Sequence, residues 1–192
     1  MPERYTAPYP AKRIHSDGRA EDTEVLLAKE VPVKLFLDGK PFTTLFSSPF
    51  ELKELAVGHL ITEGAVGYGE IAGIEVEGSE IHILTKKESQ PPQGKAAEEQ
   101  IFVDSNATFD PNVLFAGIGY IESDTYKLTR GTHLAALIDR KGKLAAQIVD
   151  IGRHNAVDKV VGTAFLKGLD LSHLYMLSTG RQPACMVTKA AR

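Results

Sequence analysis

The stretch Asp150-Ile-Gly-Arg-His-Asn-Ala-Val-Asp-Lys159 constrains this chain more than any other. Seven of its ten residues are polar, ionisable or glycine, and the sequence turns apolar on both sides. Leu144 to Val149 reads as a buried strand, while Val157, Val160, Val161, Ala164 and Phe165 recur at helical spacing. A strand running into a loop and then into a helix is therefore expected. Gly152 supplies the turn, Asn155 the N-cap, Asp158 the first turn and Gly168 the stop. A helix start exposes unpaired N–H groups and a partial positive charge. Arg153, His154 and Lys159 add cationic donors beside it, which predicts an anion site, phosphate before carboxylate. A capped helix start with a surface charge cluster has the same pattern, and both readings stand at this point.

With 192 residues the chain suits one large domain or two small ones, and 43% hydrophobic residues suffice for a core. A net charge of −3 gives no electrostatic footprint for nucleic acid. A single cysteine, Cys185, excludes an intrachain disulfide and a multi-cysteine zinc ribbon. No apolar leader and no run of membrane-spanning length is present, so the expectation is a cytoplasmic protein away from the membrane.

Residues 1–23 are polar, carry three of the ten prolines and read as a loosely held arm. A β-rich region, 24–86, follows. Val31, Val33, Leu35 and Leu37 alternate as a half-buried strand should, and Asp38-Gly39 signals a hairpin. Ser48, Pro49 and Glu51 form a capping box for a helix over 49–63, on which His59 lies at the apolar edge. Glu63 ends that helix, where the dipole disfavours an acid, which hints at a specific partner such as Lys159 or Arg181. A second hairpin spans 71–84 around Gly78-Ser79. Residues 87–99 read as a linker, 100–103 as a short strand and 112–120 as a helix weakened by Gly117 and Gly119.

The remainder of the second region, 100–192, reads β-β-α-β-α, with strands 134–138, 144–149 and 174–177 and a last helix from Ala184. A crossover helix calls for parallel pairing and helices on the sheet faces. Loops at the carboxyl ends of such strands commonly bind ligands. Two loops qualify, Asp150 to Asn155 and Ser178 to Gln182, and two on one sheet edge point to a phosphate- or pyrophosphate-containing ligand.

Several segments together carry a resemblance. They are Leu55-Ala-Val-Gly-His-Leu-Ile-Thr-Glu-Gly64, Thr129-Arg-Gly-Thr-His133, the Gly152-to-Lys159 string, Ser178-Thr-Gly-Arg181, and Met186-Val-x-Lys-Ala-Ala191. In that order they resemble the FdhD family, the formate dehydrogenase accessory proteins. The resemblance implies a cytidine-deaminase-like three-layer α/β/α domain preceded by a smaller β-rich region. It implies a homodimer that takes sulfur from a cysteine desulfurase and passes it to the molybdenum (or tungsten) bis-guanine-dinucleotide cofactor of formate dehydrogenase, with GDP as a mimic of that cofactor. Under this reading Arg153, Arg181 and Lys159 contact phosphates. His154 and Asn155 bond ribose or guanine edges, and Asp158 pairs with Arg153 or reads guanine. Thr132 and His133 line the pocket, and Gly152, Ser178 and Gly180 shape the two loops.

Two features depart from the family pattern. The stretch Val103 to Asp110, where the family usually carries Cys-x-x-Cys, contains no cysteine, and neither Ser105 nor Thr108 can form a persulfide. The chain also stops at Arg192, where family members usually continue, so a short form, a fragment or a truncated chain is expected. Three readings follow. In the first, Cys185, near a helix start and Arg181, has become the sulfur-carrying thiol. In the second, the chain binds or delivers the cofactor without passing sulfur. The third is a metal-dependent hydrolase using His133, His154, Asp158 and His173, which lacks the Cys-x-x-Cys and Glu of the zinc deaminases.

Overall fold

A computed structural model describes residues 2–86, 103 and 106–192. The linker expected over 87–99 and the strand over 100–103 fall outside the described residues, except for Val103.

The chain begins as a β-ribbon rather than an arm. Strands β1 (Thr6–Ile14) and β2 (Ala20–Ala28) pair antiparallel along their full length. Its start is tied down by Arg4, which pairs with Glu51, and by Tyr5, whose hydroxyl donates to Glu51 Oε2 at 3.1 Å. These tertiary partners were invisible in a local reading of a proline-rich, polar segment.

A four-stranded sheet follows, from β3 (Val31–Leu37), β4 (Lys40–Ser47), β5 (Ile71–Glu77) and β6 (Glu80–Thr85), in the order β4-β3-β6-β5. Both hairpins lie where the turn residues place them. Asp38 and Gly39 take φ of 48° and 76°, as a tight two-residue turn requires. The parallel β3–β6 pair joins the two hairpins. Between β4 and β5 runs α1 (Leu52–Thr62), which packs its Leu55, Val57, Leu60 and Ile61 with Val33, Leu35, Ile81 and Ile83.

The capping box does not form. Glu51 precedes the helix in a left-handed conformation and makes no side-chain cap. Ser48 is drawn away by partners a hundred residues distant: its Oγ accepts from the Ile151 amide and its own amide donates to Asp150 Oδ2.

The second half supplies α2 (Pro111–Gly117), a 3-10 turn (Ile118–Ile121), and α3 (Asp124–Thr129), a helix the hydrophobic pattern did not reveal. Strands β7 (His133–Asp139), β8 (Leu144–Asp150) and β9 (Leu174–Ser178) form a three-stranded sheet, with α4 (Arg153–Leu166) and α5 (Ala184–Ala191) after β8 and β9. The expected parallel pairing of β8 with β9 is not made. The order is β8-β7-β9, and β7 is antiparallel to both. The crossover through α4 carries the chain over β7, so β8 and β9 point the same way on either side of it. Their carboxyl ends therefore share one edge with the start of β7.

Both faces of this sheet are covered. Ala135 and Leu137 of β7 pack with Ala156, Val157 and Val160 of α4 and Met186 of α5. Leu134, Ala136 and Ile138 pack with Tyr120 and Ile121. The mixed α/β class expected from the sequence is what the chain adopts.

The two regions share one interior. Helices α1 and α4 cross so closely that a Cβ at Gly58 would lie 1.7 Å from the Asp158 carbonyl oxygen, and one at Gly162 1.9 Å from that of Glu54. Val161 of α4 belongs to the core built on the first sheet.

Candidate functional site

Asp150 closes β8 and is fully buried. Its Oδ1 accepts from the Gly152 amide (2.7 Å) and Asn155 Nδ2 (3.1 Å). Its Oδ2 accepts from Ser47 Oγ (2.9 Å), the Ser48 amide (3.1 Å) and Lys159 Nζ (2.6 Å). A buried carboxylate is tolerated only when paired and bonded in this way. The result is a rigid seat for the turn into α4.

This seat decides the fate of three expected ligand contacts. Lys159 is fully buried and spends its ammonium on Asp150 and on the Ser48 carbonyl (3.0 Å), so it does not reach a phosphate. Asn155 is not the N-cap; Gly152 is. Asn155 lies inside the first turn and donates to the Phe46 carbonyl and to Asp150. Asp158 neither pairs with Arg153 nor faces a ligand. It is 1% exposed and accepts from Lys189 Nζ (2.9 Å) and Thr62 Oγ1 (2.7 Å), with His59 Nδ1 at 2.9 Å. Burial by itself would push the Asp158 carboxyl up, and His59 and Lys189 outweigh that and hold it below the usual range. Glu63 finds its partner in Lys189 (2.6 Å), not Lys159 or Arg181.

What remains faces the shared edge. Arg153 and His154 open α4. Gly180 crosses against Arg153 so tightly that a Cβ there would stand 2.7 Å from Arg153 Cβ, which brings the loop after β9 onto the start of α4. Ser178 shapes that loop by accepting from the Gly180 amide at 3.2 Å. His133, at the start of β7, lies opposite Asp150 in register and 3.4 Å from Thr179 Oγ1. Burial first, then the Arg153 charge, lowers both His133 and His154 below the ordinary imidazole range, with Arg181 adding to the effect on His133. Both rings are thus neutral at neutral pH. His154 Nε2 lies 3.4 Å from the Sγ of the exposed Cys185.

Beside this edge, α3 and the start of β7 enclose a cavity of about 460 Å³, lined by Ser123, Tyr126, Arg130, Thr132, His133 and Thr179 among others. Among the described residues, two buried side-chain polar atoms have no hydrogen-bond partner, Thr132 Oγ1 and Arg153 Nε. Buried donors and acceptors are normally satisfied, so these two stand apart from the other buried polar groups of the site.

Of the residues expected at the site, the structure gathers Thr132, His133, Gly152, Arg153, His154, Ser178, Gly180, Arg181 and Cys185 near one edge. It withdraws Asn155, Asp158 and Lys159 into the framework. The four residues considered as metal ligands do not converge: Asp158 is bonded to Lys189, and His173 to Asp170 at 2.7 Å. Among the described residues no group of three or more His, Cys, Asp or Glu side chains is placed to hold a metal ion. Sequence reasoning missed Asp150 and Lys189 as buried partners, and it missed all of α3. One signal for the buried pairs was present: Asp158-Lys159 interrupts an apolar run between Val157 and Val160. Two charges inside a buried helix face must find partners within the protein.

The candidate site is thus a polar, cation-flanked edge at the ends of β8 and β9 on a mixed α/β scaffold. The profile of the FdhD/NarQ family matches residues 28–192, and the chain belongs to that family. It is 33% identical to Protein FdhD of Methanocaldococcus jannaschii, an alignment covering 88% of this chain and 71% of that protein. Sulfur carrier protein FdhD of Thermoplasma volcanium is 31% identical, with 94% and 77% covered. The fold is similar to the crystal structure of a protein from Desulfotalea psychrophila described as a formate dehydrogenase accessory protein. The TM-score is 0.83 at 23% identity, over 97% of this chain and 79% of that one.

Proposed function

We propose that this chain is a cytoplasmic, homodimeric accessory protein of formate dehydrogenase. It binds the molybdenum (or tungsten) bis-guanine-dinucleotide cofactor as cargo and passes it sulfur received from a cysteine desulfurase. The carrying observation is the sheet edge that sets Arg153, its Nε buried and unpartnered, beside the Cys185–His154 contact. The donor set fits the cargo's pyrophosphates. Arg153 opens α4 and Arg181 lies in the loop after β9, and Gly180 leaves no side chain between that loop and Arg153. Among the described residues no helix is long and apolar enough to cross a membrane.

The chemistry asked of Cys185 is a transpersulfidation. The neutral His154 imidazole accepts the thiol proton. The Cys185 thiolate then attacks the outer sulfur of the desulfurase's cysteine persulfide. A new Sγ–S bond forms, the donor's S–S bond breaks, and the donor cysteine leaves as a thiolate. No oxidant or reductant is consumed. The expected outcome of incubation with a persulfide-loaded cysteine desulfurase is a mass gain of one sulfur atom on Cys185, lost in Cys185→Ser and slowed in His154→Ala.

A second reading rests on the absence of any cysteine in Val103 to Asp110. Here the chain binds or delivers the cofactor without passing sulfur. Calorimetric titration with GDP separates the two: GDP binding without any sulfur on Cys185 selects the second. Absence of GDP binding, or binding unaltered in Arg153→Ala plus Arg181→Ala, overturns the proposed site.

A further inference from the structure

Only two side chains of α5, Met186 and Lys189, are buried. Met186 enters the core against β7 and α4 and sets how deep the helix sits. A flexible, unbranched apolar side chain fixes little else. The turn of α5 about its own axis is therefore left to Lys189. Its ammonium, on a side chain 6% exposed, pairs with Glu63 Oε1 at 2.6 Å. It also donates to Asp158 Oδ1 of α4 at 2.9 Å and to Thr62 Oγ1 of α1 at 3.0 Å. One atom thus ties three helices.

The spacing along α4 and α5 gives that tie a second consequence. Cys185 precedes Lys189 by four residues, and His154 precedes Asp158 by four. Residues four apart share a helix face. The two helices therefore meet in two rungs, about one turn apart. The inner rung is the buried Lys189–Asp158 pair. The outer rung is the 3.4 Å contact of Cys185 Sγ with His154 Nε2. A thiol is a weak hydrogen-bonding group, so the outer rung cannot hold the helices in register by itself. The charge-assisted inner rung can.

We propose that Lys189 is the positioning residue of the Cys185–His154 pair, holding the thiol within proton-transfer reach of the imidazole. The inference rests on the sulfur-carrying reading of Cys185. Proton transfer needs hydrogen-bond distance between the two atoms, and a rotation of α5 would lose it. The same groups set the charge of His154. Burial lowers its proton affinity most, then Arg153 on its own helix and Lys189 on α5, while Asp158 and Glu63 raise it. The ring thus stays neutral and able to accept the Cys185 proton.

Lys189→Met alone strands the Asp158 carboxylate, so the test pairs it with Asp158→Asn. Glu63→Gln, which removes the more exposed partner of Lys189, is the second variant. The rate of sulfur uptake by Cys185 from a persulfide-loaded cysteine desulfurase is followed by mass against desulfurase concentration and pH. The paired variant is expected to lower the maximal rate at least about tenfold and to leave the half-saturating desulfurase concentration unchanged. Glu63→Gln is expected to slow it about threefold. In the wild type the rate falls as pH drops through the His154 value, below about 6.5. The paired variant lacks this acid limb, as His154→Ala does, and adding His154→Ala to it causes no further loss. A wild-type maximal rate and acid limb in the paired variant overturn the positioning role and leave the thiol reading standing. Full additivity with His154→Ala does the same. A wild type that gains no sulfur on Cys185 overturns both. Should the paired variant not fold, Glu63→Gln decides, and an unchanged maximal rate there overturns the positioning role.

Discussion

Asp150 and Lys159 share a hydrogen bond of 2.6 Å with no exposure to solvent on either side. Removing one partner strands the other. Lys159→Met is expected to lower unfolding stability by about 3–5 kcal/mol, read from urea denaturation. The double variant Lys159→Met plus Asp150→Asn recovers part of that loss, because an uncompensated buried charge is then no longer left behind. A phosphate-binding lysine behaves otherwise: its loss weakens ligand and leaves stability nearly untouched. Lys189 holds α5 in a similar way, through Asp158 and Glu63, four residues beyond the Cys185 thiol. Which charges reach ligand and which hold the frame was not legible from spacing. The signature reads as a row of donors, and burial divides it into Arg153 and His154, half-buried at the edge, and Asn155, Asp158 and Lys159, buried within.

Helices α1 and α4 are held together through glycine. Gly58→Ala and Gly162→Ala each place a methyl group inside van der Waals distance of a backbone carbonyl, so the helix pair must separate. Each is expected to cost at least about 1–3 kcal/mol, measured as a lowered urea midpoint. Substitution of Gly119, whose Cβ position is open, leaves the midpoint nearly unchanged. Elements fixed by local chemistry were legible. The Asp38-Gly39 and Gly78 turns, the strands they join, α1 and α4 all follow from turn residues and periodicity. Elements fixed by distant contacts were not. Ser48 gives up its cap to bond Ile151 and Asp150. The amino-terminal ribbon is anchored through Glu51. The six residues of α3 are too few to show a helical period. The edge that carries the site was legible as two loops, and the intervening β7 was not placed between them.

Across the whole molecule, acid is expected to weaken the fold in two stages. His133 and His154 have folded values below the unfolded value of about 6.5, so as pH falls through about 6.5 the unfolded chain takes up protons that the folded chain refuses. Stability therefore drops on passing from about pH 7.5 to 5.5, and the drop is flatter in His133→Asn plus His154→Asn, read as melting temperature against pH. The carboxyl of Asp158 acts lower. Its contribution is present above its unfolded value of about 3.8 and disappears as pH falls through its depressed folded value. The bond from Ser47 to Asp150 joins residues 103 positions apart. During synthesis, the inner faces of α1 and the first sheet meet their covering helix only after α4 has left the ribosome. Contacts of such long sequence separation slow folding. Until they form, Leu55, Leu60 and their neighbours stay open to other chains, and that interval is when the chain is most exposed to aggregation.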